Sequence, residues 1–369
     1  MIRRMLILMG LSIFSVIVFH SAGWGFTAMY SWAERYAGVG TSAEVIGRTL
    51  GYYGLNALVQ ASVFAIPAFL FVSGFFSSTL FAGVESGPSW KRVWPRVIAL
   101  GIPYLVWTAL ALGGRVAQGR LGFMAELPII LLTGGATPAY YYVPLLVQLY
   151  VLAPLLVRWA REHTARFLGL TAGIQLGIYI RNYAAILWPQ SRLVEIAFTF
   201  LPKWFFISFV FWFGLGIVAG FRRQAVGRWL GNMRGRVWWI VGLLFFLGYL
   251  EWEILGRATN QVWLPHLETL IDGLYSAAIG IAVLGSSSVS KVISDTMTGL
   301  GQRSYGIYLA HPLVMEFAAR GLYRVAPWTL GQSWLFEILL IGFGLGVPLL
   351  LMEVVRRTQA RPLYSFLFG

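Results

Sequence analysis

The chain has 369 residues, of which 58% are apolar and only 11% charged. Soluble domains carry about 25% charged residues, so this composition excludes an ordinary soluble protein and points to a membrane. The net charge of +14 would suggest nucleic acid in a soluble chain; here the basic residues sit in short connections between apolar segments, where the positive-inside rule accounts for them, and no nucleic-acid partner is expected.

Apolar segments long enough to span fall at about 5–25, 56–80, 94–114, 140–157, 166–185, 203–221, 236–254, 267–285, 299–320 and 333–355. The first begins with two arginines and an apolar run, as a signal peptide does. It is nevertheless long enough to span, carries His20 and runs into bulky Trp24 and Phe26, so an uncleaved helix is expected. The stretch 126–135 is apolar but too short to cross, which suggests a re-entrant or interfacial piece. With the N-terminus in the cytoplasm, 18 of the 28 Lys and Arg residues fall at inner helix ends. FRRQAVGRWLGNMRGR (221–236) is the strongest single marker. The fold class expected is therefore all-α. The chain is a polytopic integral membrane protein of about ten transmembrane helices, both termini cytoplasmic, in the cell (inner) membrane. Residues 1–369 form one stand-alone membrane domain among lipids, with no internal repeat and no paired broken helices of the secondary-transporter kind. Trp and Tyr cluster near helix ends (Trp24, Trp32, Tyr52, Tyr53, Trp188, Trp204, Trp252, Trp263, Trp328). They read either as interfacial anchors or as platforms on which a sugar stacks.

His20 lies about 15 residues into the first helix, roughly 22 Å from its inner end. A histidine there is either a base that takes and returns a proton or a polar residue bonding a neighbouring helix. In AIPAFLFVSGFFSS (65–78), Ser73-Gly74 is a small pair suited to close helix contact; no acid adjacent in sequence activates Ser73 as a nucleophile. Lys91, Arg92 and Arg96 recur at the inner end of the third segment, with Arg92 and Arg96 on one face. They suit either phosphate binding or lipid headgroups. Gln148 and Tyr150 are polar positions in an apolar span. In TGLGQRSYGIYLAHPLVM (298–315), the spacing of Ser304, Tyr308 and His311 by four and three builds a polar stripe facing the bundle interior, with Tyr305 to one side. Ionisable residues in a span are functional-site hypotheses by default. Glu251, Glu253, Glu268 and Asp272, near outer helix ends, are either a mouth for a hydroxyl-bearing substrate or solvated interface residues. The chain has no cysteine, and HExxH, GxSxG and P-loop patterns are missing. Thiolate, zinc-hydrolase, serine-hydrolase and nucleoside-triphosphatase readings therefore lose their usual support, and no metal is called for.

Taken in order, His20, FLFVSGFF, KRVWPRVIALGIPYLVW, YYYVPLLVQLYVLAPLL, FFISFVFWFGLGIVAG and LGQRSYGIYLAHPLV resemble the motifs of the acyltransferase 3 family, over residues from about 5 to 355. The resemblance implies transfer of an acyl group, most often acetyl from acetyl-CoA, to a hydroxyl of a cell-surface carbohydrate or glycolipid. Acyl-CoA would be the co-substrate. It implies that His20 is the essential histidine, that Arg92 and Arg96 are the family's basic residues, and that Ser304, Tyr305, Tyr308 and His311 are its Ser-Tyr-Leu-His stretch; in the mechanism this suggests, the donor's phosphates dock on Lys91, Arg92, Arg96 and Arg303, and Ser304, Tyr308 and His311 form a second wall. His311 is there an oxyanion-side or structural partner rather than the base. Many members carry an arginine or lysine eleven residues before the histidine; here that position is Met9. A transporter or flippase of a glycan or lipid-linked sugar, and a catalytically impaired relative, are the alternatives.

Overall fold

The structure is a computed structural model that describes residues 1–38, 46–81, 90–117, 119, 122–233, 236–286 and 290–369. Arg120 and Arg234, two of the loop cations, lie outside the described residues, as do Ser89 and the middle of the outer loop 26–55. Among the described residues all regular structure is helical. The helices of ten residues or more are α1 (Ile2–Phe26), α2 (Leu50–Ser62), α3 (Ala65–Phe81), α4 (Trp94–Ala117), α5 (Tyr142–Glu162), α6 (Thr164–Leu187) and α7 (Val210–Phe221). They continue with α8 (Arg223–Asn232), α9 (Arg236–Ala258), α10 (Leu270–Gly285), α11 (Lys291–Gln302), α12 (Ser304–Val325) and α13 (Ser333–Arg357).

Each of the ten apolar segments expected from the sequence is helical. Among the described residues, six stretches are long and apolar enough to cross a membrane on their own, and a bent pair would make a seventh. They are the spans of α1, of α2 with α3, and of α4, α5, α9 and α13. The bent pair is α7 with its short lead-in from Phe206, followed by α8 at 97°. The bend comes where Arg222 and Arg223 interrupt the apolar run. Their charged heads belong in the headgroup layer, so the chain turns along it rather than onward. Of the remaining segments, α10 is short at 16 residues, while α6 and α12 carry arginines inside the helix. The short apolar stretch at 126–135 forms a seven-residue, largely exposed helix, Leu127–Thr133, stopped by Gly134 in the left-handed region at φ 79°.

The bundle is arranged around α1, which packs against α2, α3, α10, α11, α12 and α13. Its unusual burial explains how a helix can hold a histidine: Leu8, Ile13 and Ile17 are fully enclosed, as is Ser12, whose hydroxyl donates back to the Leu8 carbonyl at 2.8 Å. Glycines bring helices to backbone contact at two places. Gly10 on α1 faces the Met297 carbonyl of α11, and Gly301 faces the Leu6 carbonyl in return. On α3, Gly74 lies against the Phe213 carbonyl, while Gly216 of α7 lies against that of Phe71. The packing reading of the Ser73-Gly74 pair thus holds for Gly74. Without a hydrophobic drive between helices in lipid, such close approach is the main source of association.

Candidate active site

His20, in the C-terminal half of α1, lines a cavity of about 640 Å³. The polar wall of that cavity comprises Asn56, Gln60, Arg115, Tyr141, Lys203, His266, Glu268 and the ring of Tyr308. Its apolar wall is aromatic: Phe19, Trp24, Phe26, Trp252 and Trp263. The indole platforms are braced. Trp263 stacks on Phe26 with centroids 5.4 Å apart, Trp252 lies 4.6 Å from the His266 ring, and Trp24 leans on Trp32 at 5.5 Å. Trp188 and Trp328, by contrast, are more than half exposed and suit the interfacial belt. The aromatic residues therefore divide between the cavity wall and exposed helix ends.

The stripe expected on α12 is present: Ser304, Tyr308 and His311 are all buried. Only His311 meets His20, with ring centroids 5.2 Å apart. His311 Nδ1 sits 3.2 Å from the Ile307 carbonyl oxygen, which can only accept, so Nδ1 carries a hydrogen. Its Nε2 is buried without a hydrogen-bond partner. Tyr308 already donates its hydroxyl to the Ala139 carbonyl, and Tyr140 donates in return to the Leu309 carbonyl at 2.6 Å. These bonds clamp α12 to the turn that enters α5. Tyr305 does the same toward α4, donating to the Leu100 carbonyl at 2.5 Å. Ser304 is enclosed at the start of α12 and is not part of the cavity lining.

The basic residues expected to hold a donor lie elsewhere, toward the N-terminal half of α1. Arg96 lines a second, smaller pocket of about 270 Å³ together with Met9, Ser73, Thr79, Leu80 and Tyr150. Its guanidinium lies over the Tyr150 ring, 5.8 Å from the centroid. Met9 thus shares a pocket with Arg96. Lys91, Arg92 and Arg303 are exposed and outside that lining. Arg92 donates to the Leu80 carbonyl at 2.7 Å, which places it at the pocket edge. Met9 and Val16, the nearest α1 residues of the two hollows, are separated by about 10 Å along the helix.

Three residues that line or brace the cavity, Lys203, Arg181 and Asn182, were not singled out as site residues from the sequence. Lys203, counted there among loop cations, lines the cavity instead. Arg181, counted likewise, is buried in α6 and donates to the Leu201 carbonyl and to Asn182 Oδ1, the latter at 2.7 Å. Asn182 donates to the Glu268 carbonyl at 2.8 Å. Arg181 and Asn182 therefore tie together the two connecting segments that carry Lys203 and Glu268. Of the four outer acids, Glu268 alone lines the cavity. Glu251 accepts from Thr269 Oγ1 at 2.6 Å and from Tyr183. Glu253 pairs with Arg48 and Arg257, and Asp272 caps α10 and accepts from Gln60 at 3.1 Å. Lys203 and Glu268 lie outside the spanning helices. Burial pushes the Glu268 carboxyl up to about 7; the Lys203 charge opposes that, Asp272 adds to it and Arg181 opposes it. Burial lowers Lys203, an effect that Glu268 counteracts and Arg181 reinforces.

Gln148, noted in the sequence only as a polar residue in an apolar span, has a defined task. Its Nε2 donates to the Trp204 carbonyl at 2.8 Å and its Oε1 accepts from the Phe206 amide at 3.2 Å. It therefore holds the backbone directly after Lys203. Replacing Gln148 with leucine is expected to destabilise the protein by about 1–3 kcal/mol, the cost of leaving buried backbone groups unpaired. Thermal unfolding in detergent measures the loss.

No curated protein and no solved structure matches the chain. A family model described as an acyltransferase domain matches residues 7–353. With nearly the full bundle inside that match, the chain belongs to the acyltransferase 3 family of membrane proteins.

Proposed function

We propose that the protein moves an acyl group, most simply acetyl, from an acyl-CoA to a hydroxyl of a carbohydrate or lipid-linked carbohydrate. The observation that supports this reading best is the placement of His20. It sits in an aromatic-walled, polar-lined cavity large enough for a sugar, packed on a second histidine whose free nitrogen has no partner. Aromatic walls with a few convergent polar groups are the usual make-up of a small-molecule site.

In this account the N-terminus is cytoplasmic, in keeping with the bias of basic residues. The donor's phosphates rest on Arg96, with Lys91, Arg92 and Arg303 around the entrance, and the thioester reaches along α1 to His20. The acceptor enters from the outer side, between Trp24, Trp252 and Trp263. A ring nitrogen of His20 takes the hydroxyl proton as the oxygen attacks the thioester carbon. The C–S bond then breaks, and the proton passes from His20 to the departing thiolate. His311, fixed by its bond to the Ile307 carbonyl, holds the His20 ring in register, as the third member of a nucleophile–base–orienter set does.

The test is acceptor-dependent release of CoA by the purified protein in liposomes, with acetyl-CoA as donor and an alkyl glycoside as acceptor. Arg96→Ala is expected to raise the KM for the donor about tenfold or more while the acceptor KM holds, because a charge-assisted phosphate contact contributes about 1.5–3 kcal/mol. A glycoside that crosses the bilayer unmodified, with no CoA released, would establish transport instead.

A further inference from the structure

The candidate oxyanion donors read from the sequence are all committed or remote. Tyr308 gives its hydroxyl to Ala139, His311 gives its Nδ1 hydrogen to Ile307, and Ser304 is enclosed away from the cavity. Acyl transfer nevertheless develops negative charge on the thioester oxygen, and that charge needs a preorganised partner. We propose that the Lys203 ammonium is that partner, and that Glu268 is the positioning residue that keeps it charged and aimed.

The assignment rests on placement. Lys203 and His20 line the same cavity. Lys203 has no hydrogen bond and no ion pair within 4 Å among the described residues, so its donors are not spent on the protein. A part-buried lysine with unspent donors is costly to keep, and the fold holds its segment in place. Arg181 fixes the Leu201 carbonyl before it, Gln148 fixes Trp204 and Phe206 after it, and Ser208 bonds the Pro202 carbonyl at 2.9 Å. Glu268 lines the same cavity, its own carboxylate likewise without a hydrogen bond among the described residues. Its backbone is held by Asn182, the neighbour of the arginine that holds the lysine's segment. The charged and titratable groups that line the cavity with Lys203 are His20 of α1, Arg115 of α4, Tyr141, Tyr249 of α9, His266 and Glu268 of the segment before α10, and Tyr308 and Glu316 of α12; the charge of Arg181 also bears on Lys203.

The step balances as follows. The acceptor oxygen attacks the thioester carbon while His20 takes its proton. The carbonyl π electrons move onto oxygen, where an N–H of Lys203 meets them. The pair returns to the carbonyl as the C–S bond breaks, and His20 protonates the thiolate. Lys203 donates throughout and is neither acylated nor deprotonated.

This inference rests on the acyl-transfer reading, and the experiment separates the two. Reconstituted wild-type protein, Lys203→Met, Lys203→Arg and Glu268→Gln are compared with acetyl-CoA as donor and octyl β-glucoside, within a panel of alkyl glycosides, as acceptor probe. Lys203→Met keeps the stem and removes the charge, and it is expected to lower kcat about 10²–10³-fold, as loss of one oxyanion donor does. Both KM values should stay within about twofold, and thermal unfolding should show the fold retained. Lys203→Arg should restore most of the rate. Glu268→Gln should shift the basic limb of the kcat–pH profile to lower pH. The sign follows from the charges: Glu268 holds the lysine's pKa up, so without it the ammonium is lost sooner as pH rises. Wild-type kcat in Lys203→Met, or a raised acceptor KM at unchanged kcat, overturns the role while leaving acyl transfer intact. A wild-type protein that releases no CoA with any glycoside of the panel overturns both.

Discussion

Replacing His20 with alanine is expected to lower acceptor-dependent acyl transfer by about 10²–10⁴-fold, the usual contribution of a general base. The substitution should leave the bundle assembled. His20 is half-buried at a cavity wall, and the side chains that lock α1 in place, such as Leu8, Ile13 and Ile17, are on other parts of the helix. Circular dichroism and gel filtration in detergent should match the wild type, so the loss will lie in the chemistry. His311→Ala should cost less, because it removes the support of the base and not the base itself. It also empties a fully enclosed position, so part of its effect will appear as lower thermal stability. A His20→Ala protein that is folded, membrane-inserted and fully active would remove the base from the account.

The largest structural effect is expected at Gly74. A side chain there meets the Phe213 carbonyl of α7 head on, and Gly216 shows the same contact from the other side, against Phe71. Backbone cannot yield as a flexible side chain does, so Gly74→Val must push α3 and α7 apart. Overpacking of a well-packed core costs about 1–3 kcal/mol, and a backbone collision belongs at the top of that range or above it. We expect aggregation or loss of a monodisperse peak in detergent. Gly101, in α4, is the control: a Cβ there meets nothing within 4 Å. Gly101→Ala should therefore be tolerated, and even slightly favoured, since alanine is the better helix former by about 1 kcal/mol. Equal tolerance at both positions would contradict the helix packing described here.

The parts of this molecule legible in the sequence are those written as local pattern. Apolar runs located the helices, because a backbone in lipid must satisfy its own hydrogen bonds. The four-and-three spacing of Ser304, Tyr308 and His311 placed all three on one buried face. His20 stood out because a titratable ring is expensive in a span. What escaped were residues whose meaning depends on tertiary pairing. Lys203 and Arg181 look like ordinary loop cations, and only the folded chain shows one lining the cavity and the other buried beneath it. A signal was present, however. The chain has three lysines among its 28 basic residues, and Lys203 is the one that falls outside the basic inner segments. Glu268 was noted with three other acids, and sequence cannot say which of the four is left unpaired by caps and ion pairs. Glu337 is similar: it is buried on α13 and accepts from Ser21, next to His20, at 2.5 Å, a pairing across 316 residues. The bend between α7 and α8 was half visible, in the arginines that cause it, but not its angle.

The central claim is that donor and acceptor meet at His20 from opposite sides of the membrane. Labelled acetyl-CoA sealed inside proteoliposomes, with an alkyl glycoside outside, tests it most directly. The account predicts label on the external glycoside with wild-type protein and none above background with His20→Ala. Label that reaches the glycoside only when both substrates share one compartment would contradict it.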